Sequence, residues 1–324
     1  MSVLHRMPSP RDVLTPDSLA MLQVIADTGS FAAAARQLRL VPSALTYRVR
    51  QMEEALDVLL FDRSARQAQP TEAGQALLAE GARLLLDIDA VAHRVRRVAT
   101  GWEPELTIMA DGVISQHILL DLVEAFYALN SPTKIKLGAG TLTGPIECLT
   151  TGRADLALGI AVNNTSTAGL QLHDLGDMTF VFTVAPFHPL AHIDTPISDE
   201  MLLEHRLVVV ADSAQKERTS MGLLNGQDIF TVDTVQAKIN AQLRGLGCGF
   251  LPEAIARPYV KAGLLVIKTV TRPTRQVRLR YAWKKPSNGG LGKALQWWLA
   301  QLESPVTQQA LLEQHHPFPE VIAR

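Results

Sequence analysis

From Thr71 to about Ala99 the chain runs without proline, and its apolar residues recur at alternating three- and four-residue spacing. Leu77, Leu84, Val91 and Val98 form one line; Gly74, Gly81, Ile88 and Val95 form the next. That is the pattern of one long helix sustained over about three heptads. At about 1.5 Å per residue such a segment spans roughly 43 Å. A helix of that length has little domain of its own to pack against, so it divides the chain into a head before it and a body after it. We read it as a dimerisation helix whose seam is Leu77, Leu84, Ile88, Val91, Val95 and Val98. Gly81 sits at a seam position, where it permits close backbone approach at a cost in helix propensity. The competing reading is a long helix buried inside a single domain.

The head reads as three helices. Asp17 starts the first, with Leu19, Leu22 and Ile25 at helical spacing, and Thr28-Gly29-Ser30 breaks it. Ser30 is a good N-cap for the second, which buries Phe31, Ala34, Ala35 and Leu38. Pro42 then stands at the first position of a third helix, about Pro42 to Leu56. Leu45, Val49, Met52 and Leu56 form its apolar stripe, and Ser43, Thr46, Tyr47 and Arg50 form the opposite one. Hydroxyls, an aromatic ring and Arg on one face are what reading a major groove requires. A plain three-helix bundle with a polar outer face gives the same periodicity, and both readings stand at this level. A short apolar run through Phe61, a polar stretch from Ser64 to Gln69 and Pro70 suggest a β-wing, with Arg63 and Arg66 placed to grip phosphate or enter a minor groove.

The formal net charge of the 324 residues is -1, which rules out a uniformly basic coat but conceals an uneven distribution. Between Ser30 and Met52 there are four Arg (Arg36, Arg39, Arg48, Arg50) and no acid, so that window is 4 − 0 = +4. Local charge of this kind suggests a polyanion partner; a solvated helix face is the alternative. No apolar run approaches the roughly 18–20 residues of a membrane span. The N-terminus lacks an apolar signal core, and two Cys a hundred residues apart give no disulfide framework, so a cytoplasmic location is expected.

From Glu105 onward strands and helices alternate. Leu106–Ala110, Lys134–Ala139 and Ala154–Ile160 read as strands, with helices at Ser115–Leu129 and Pro145–Thr151, and this βαβαβ series predicts a mostly parallel sheet. Strands at 180–185, 207–211, 250–251, 264–268 and 277–283 follow, with helices at 234–246, 252–261 and 291–302. Two α/β lobes with a cleft between them are a common small-ligand design. Residues 304–324 extend beyond as a C-terminal tail, in which SPVTQQALLEQ favours a short helix.

The segments GSFAAAARQL, VPSALTYRVRQMEEALDVLLFDR and PTEAG, followed by GRADLALGI, APFHPLA and GLGCGFLP, resemble the LysR-type transcriptional regulators over nearly all of residues 15–303. The resemblance implies an all-α winged helix-turn-helix head over 15–70 and a linker helix over 71–99. It implies an α/β effector domain over 101–303 with two periplasmic-binding-protein-like lobes, lobe one being 101–161 with 269–303 and lobe two 162–268. It implies double-stranded operator DNA and a second copy of the chain as partners, with dimers and tetramers usual and RNA polymerase a further candidate. Carried over by motif position, Ser30, Pro42, Ser43, Thr46, Tyr47, Arg48, Arg50, Arg63 and Arg66 are the DNA-facing residues. Pro42 stands where many members carry Gln, so contact with a thymine methyl replaces a hydrogen bond there. Asp57 stands where Gly is usual, which requires a left-handed Asp.

The same resemblance places a small-molecule effector between the lobes, against Asp111, Val113, Ser115, Thr141, Thr143, Asp212, Ser213, Asp233 and Thr234. Ser115, opening a helix, is suited to an anion. Asp111, Asp212 and Asp233 argue the other way, since together they would repel a bare carboxylate. The expectation is a neutral or cationic effector rich in hydrogen-bond donors, such as a phenol, nucleoside or amine; turn and cap roles for these Asp are the alternative. The nine His show no metal-ligand spacing, and GLGCG enters a strand and a proline rather than a dinucleotide-binding helix, so neither a metal nor a cofactor is expected. Enzyme catalysis has no constellation to support it, and a pure binding protein with a vestigial head conflicts with the basic helix face.

Overall fold

The computed structural model describes residues 9–62, 68–161, 168–215, 224–285 and 290–315. The chain divides into two compact units, Met1–Val95 and Arg96–Arg324.

In the first unit α1 (Pro10–Val13) precedes α2 (Pro16–Thr28), α3 (Phe31–Leu38) and α4 (Pro42–Leu56). Their ends follow from local chemistry. Thr15 caps α2 by accepting from the Ser18 N–H at 3.2 Å, and Gly29 ends it in the left-handed region at φ 61°. Ser30 caps α3 by accepting from the Ala33 N–H at 3.4 Å. Asp57 closes α4 in the left-handed conformation, φ 53°. The core is Met21, Leu22, Ile25, Ala34, Ala35, Leu45, Val49, Met52, Leu60 and Phe61, with Val13 of α1 added from outside the expected domain start at residue 15. Buried Glu53 of α4 accepts from the Leu60 N–H at 2.9 Å, tying α4 to the segment before β1. The strands β1 (Phe61–Asp62) and β2 (Gln69–Pro70) pair antiparallel as the base of a wing; Arg63 and Arg66 lie outside the described residues.

The long helix α5 is Glu72–Thr100, with the Thr71 hydroxyl accepting from the Gly74 N–H at 3.0 Å. Its first turns belong to the head. A Cβ at Gly74 would collide with the Leu60 carbonyl oxygen, and one at Gly81 would come within 3.1 Å of Leu19. Gly81 therefore serves close approach to α2, not the seam assigned to it from periodicity. Leu77 likewise packs half-buried on the head core.

The second unit is built on a curled seven-stranded sheet and a separate two-stranded one. In chain order the elements are β3 (Glu105–Asp111), α6 (Gln116–Tyr127), β4 (Lys134–Gly140), α7 (Gly144–Thr150), β5 (Leu156–Ile160), β6 (Leu170–Val184) and α8 (Asp199–Leu203). After these come β7 (Leu207–Val210), β8 (Ile229–Val232), α9 (Val235–Leu243), β9 (Gly249–Pro252) and α10 (Glu253–Lys261). The chain closes with β10 (Val266–Lys268), β11 (Arg275–Lys284), α11 (Lys293–Leu302) and α12 (Pro305–Glu313). Strands β3, β4 and β5 are parallel as expected, and so are β7 and β8. The larger sheet is nevertheless mixed, because β11 returns antiparallel to β5 and β6, and β6 pairs antiparallel with β9 and β10.

The passage between lobes falls inside β6, not at residue 162. Leu170–Phe180 pairs with β11, while Phe180–Val184 pairs with β9 and β10. Accordingly Leu175 and Met178 join the lobe-one core with Leu106, Ile108, Phe126 and Trp298, while Phe182 and Val184 join Leu190, Leu202 and Leu207 in lobe two. The short helix expected in SPVTQQALLEQ is α12, and its Leu311 and Leu312 are buried in the lobe-one core.

Candidate nucleic-acid interface and effector cavity

The α4 periodicity sorts its side chains. Leu45, Val49 and Met52 are buried against α1 and α3, which fixes the helix's rotation and leaves Ser43, Thr46, Tyr47, Arg48 and Arg50 exposed. Pro42 and Val41 are exposed at its N-terminus, so the apolar contact available to a thymine methyl is present there. Arg36 and Arg39 of the +4 window are also exposed, so none of its charge is spent inside the head. Arg50 pairs with Glu54 at 2.8 Å, with both side chains at about half exposure or more. An exposed pair of this kind is worth roughly 0–1 kcal/mol, so a phosphate or guanine can displace the carboxylate. Gln51 donates to the Tyr47 hydroxyl at 3.0 Å, and Thr46 donates to the Pro42 carbonyl at 3.0 Å; both oxygens keep acceptor capacity. Ser30 acts in the cap of α3. Glu53 and Glu54 were not singled out in the sequence, since their roles depend on Leu60 and Arg50 being placed beside them.

On α5, Leu84, Ile88, Val91, Val95 and Val98 are all exposed, from 47% to 84%. An apolar row of that length left open on a monomer is characteristic of an interaction surface.

In the second unit a cavity of about 320 Å³ opens between the lobes. Phe180, Leu207, Val209, Ile229, Phe250 and Leu251 give it an apolar wall. Asp111, Val113, Thr141 and Asp212 of the expected residues line it. Ser115, Ser213, Asp233 and Thr234 do not: they border a separate, wider depression of about 960 Å³, which Thr141 shares. Thr143 lies at the junction of the lobes, where its N–H and hydroxyl donate to the Asp212 carboxylate at 3.1 and 2.6 Å. Thr141 donates its hydroxyl to the Ala211 carbonyl at 2.6 Å and its N–H to the Ser213 hydroxyl at 2.9 Å. These bonds cross from lobe one to lobe two. Gly144 permits them, because a Cβ there would collide with Ser213 Oγ.

The expected anion site at Ser115 is closed. Ser115 caps α6, its N–H donates to the Leu311 carbonyl at 2.9 Å, and its hydroxyl donates to the Gln314 carbonyl. The end of α12 thus occupies that helix N-terminus. The three-Asp argument for a neutral or cationic effector keeps two of its carboxylates in the cavity, Asp111 and Asp212, and loses Asp233. Asp111 is buried and accepts from the Val113 and Leu142 N–H groups at 3.0 and 2.7 Å. Burial, with a smaller push from Asp212, raises its pKa to about 6 against those two bonds. Asp212 accepts from the Thr143 and Ala214 N–H groups, and Asp233 is exposed outside the cavity.

Two cations line the same cavity, and neither was singled out from the sequence: Lys238 of α9 and Arg275 at the start of β11. The Arg275 guanidinium lies 5.1 Å from the centre of the Phe180 ring. Burial pushes the Lys238 ammonium down to about 8, helped by Arg275 nearby. Burial also lowers Arg275 and raises the neighbouring Cys248 thiol to about 11. No sequence signal marks these cations: Lys238 lies on a short polar helix and Arg275 beside a proline turn, and only the packing of α9 and β11 on β6 and β9 brings them together.

The family model described as "LysR substrate binding domain" matches residues 99–305, and that described as "Bacterial regulatory helix-turn-helix protein, lysR family" matches residues 16–75. The uncharacterized HTH-type transcriptional regulator YeeY of Escherichia coli K12 is 36% identical over 283 residues, covering 87% of this chain and 91% of that protein. The probable HTH-type transcriptional regulator YhaJ of the same organism is 31% identical over 290 residues, covering 89% and 96%. Among solved structures, full-length CbnR complexed with its target DNA matches with a TM-score of 0.60 at 17% identity, covering 88% of this chain and 98% of that one.

Proposed function

The chain belongs to the LysR family of DNA-binding transcriptional regulators with an effector-binding domain, and from that premise we propose how its own residues divide the work. Ser43, Thr46, Tyr47, Arg48 and Arg50 of α4 read an operator in the major groove, with Pro42 against a thymine methyl, Ser30 setting the start of α3, and Arg63 and Arg66 on the wing. The observation that carries this reading is the exposed α4 face together with the four exposed Arg of the +4 window. Two copies of the chain pair through Leu84, Ile88, Val91, Val95 and Val98, dimers associate into tetramers, and the assembly works in the cytoplasm, where RNA polymerase is its further partner. No described helix is long and apolar enough to cross a membrane. A small effector enters the cavity lined by Asp111, Val113, Thr141 and Asp212, and its binding biases the closure of the lobes across the Thr141–Ser213 and Thr143–Asp212 bonds. A ligand does this only by binding one closure state better than the other.

The test is a gel-shift titration on the upstream region of the protein's own gene, as a function of salt, with wild type and Arg50→Ala. Binding that weakens with salt and weakens further in the variant supports the assignment; unchanged binding in the variant overturns it. For the pairing, Val91→Asp places charge in the middle of the exposed row. Sedimentation should then show a smaller species than wild type, and an unchanged assembly would move the interface elsewhere.

A further inference from the structure

The effector cavity has an apolar wall, two desolvated cations and carboxylates whose oxygens are engaged by backbone N–H groups. Among the described residues no carboxylate and no hydrogen-bond partner meets Lys238. A cation held in apolar surroundings without a counter-charge is costly to the fold. Its natural complement is an anion that arrives with the ligand. Arg275 adds a planar donor fork against the Phe180 ring, an arrangement that suits a carboxylate packed beside an apolar or aromatic body. The volume of about 320 Å³ is at the small end of ligand pockets, which run from about 300 to 1,000 Å³. Asp111 and Asp212 share the lining, so a second negative charge on the ligand meets repulsion.

Building on the effector-cavity reading above, we propose that this chain's effector is a small monocarboxylate with an apolar or aromatic body, its carboxylate held by Lys238 and Arg275 and its body packed on Phe180, Phe250 and Val209. This replaces the amine, nucleoside or neutral phenol suggested by the acidic residues alone. The charged and titratable groups acting on Lys238 are Arg275 of β11 and Cys248 before β9; the carboxylates Asp111 and Asp212 line the same cavity without pairing with it. Because burial has already lowered the Lys238 pKa to about 8, binding of an anion should draw a proton onto it at and above that pH.

The experiment is calorimetry on the full-length protein with a matched set of probes: benzoate and phenylacetate, their amides, benzylamine, adenosine, and the dicarboxylate phthalate. Each is titrated into wild type, Lys238→Met, Arg275→Met and Thr231→Trp, the last narrowing the cavity from an exposed lining position. The expected result is binding of a monocarboxylate that its amide matches only at roughly 10- to 100-fold higher concentration, the loss expected for a charge-assisted hydrogen bond. A loss of similar size in Lys238→Met is expected, together with proton uptake in wild type near pH 8 that the variant lacks, read from two buffers of different ionisation enthalpy. Lys238→Met removes a half-buried, desolvated charge and should fold, so it stays informative if Arg275→Met does not. Two results overturn the proposal. If adenosine, benzylamine or the amides bind as well as the acids, and Thr231→Trp blocks them, the cavity stands as the effector site but the ligand class is wrong. If no probe binds, or binding is indifferent to Thr231→Trp, the cavity reading fails along with the ligand class.

Discussion

The head and the effector cavity both present cations to a partner, but they hold them in opposite ways. Arg36, Arg39, Arg48 and Arg50 are exposed, and the pair that Arg50 makes with Glu54 lies in solvent. Lys238 of α9 and Arg275 of β11 line a cavity walled in part by β6 and β9, where desolvation lowers both pKa values. An exposed cation costs the fold little and attracts any polyanion, so its selectivity must come from the hydroxyls and the ring beside it on α4. A partly desolvated cation without a carboxylate partner, as Lys238 is among the described residues, is costly until a matching anion is present, so the cost itself selects the ligand.

Salt should separate the two most widely. DNA binding through the head should fall steeply, since each phosphate neutralised contributes roughly −0.9 to the slope of log affinity against log salt. Carboxylate binding in the cavity should fall far less, because buried pairs are screened much less than exposed ones. Filter binding and calorimetry over the same salt series would compare them. Equal slopes would mean that Lys238 and Arg275 are solvated like the head's Arg. Next in size is Arg50→Ala, expected to cost about 1–3 kcal/mol on a specific operator if Arg50 meets a base, and a smaller, sequence-independent amount if it meets only phosphate. Binding to matched and scrambled operators distinguishes these.

Lys238→Met turns the comparison into a stability measurement. Its folded pKa of about 8 lies below the ordinary lysine value of 10.5, so the unfolded chain holds the proton more tightly. Below about pH 8 the charged ammonium penalises the fold; between about 8 and 10.5 stability recovers as pH rises. At neutral pH the Met variant should therefore unfold at higher temperature, by an amount of order 1–3 kcal/mol. An equivalent change at Arg48, exposed on α4, should leave the melting temperature nearly unmoved. A Lys238→Met variant that melts below wild type would show that the ammonium has a stabilising partner.

What the sequence made legible follows the same division. The limits of α4 were readable to the residue, because Pro42, the Leu45–Val49–Met52 stripe and the left-handed Asp57 are all local signals. The long β6 was readable only over its last residues. Its first half carries His173, Asp174, Gly176 and Asp177, a poor strand by composition, and it exists through pairing with β11 about a hundred residues later. Gly81 fitted the heptad but packs on Leu19, since periodicity gives a face and not what covers it. The cavity loops were placed by resemblance, and four of the nine residues named line the cavity. The cavity charges were only partly legible, because a carboxylate's partners can be backbone groups far along the chain: the Asp111 acceptor bond from Leu142 spans thirty-one residues.

The remaining comparison concerns Asp111, which lines the same cavity as Lys238. Its folded pKa of about 6 lies above the ordinary 3.8, so between those values the folded state holds the proton that the unfolded chain has released. The stability this group contributes is complete below about pH 4 and is lost as pH rises through 6, an amount of order 3 kcal/mol at most. Asp111→Asn removes the titration. It also leaves one oxygen to serve the Val113 and Leu142 N–H groups, which the carboxylate serves with two. The variant should be less stable than wild type near pH 4, and the gap should narrow by pH 7 as wild type loses its protonated-state advantage. Urea unfolding at a series of pH values reads the gap directly. If the two curves run parallel from pH 4 to 7, the N–H bonds outweigh burial at Asp111, and a monocarboxylate effector meets a full negative charge on that side of the cavity.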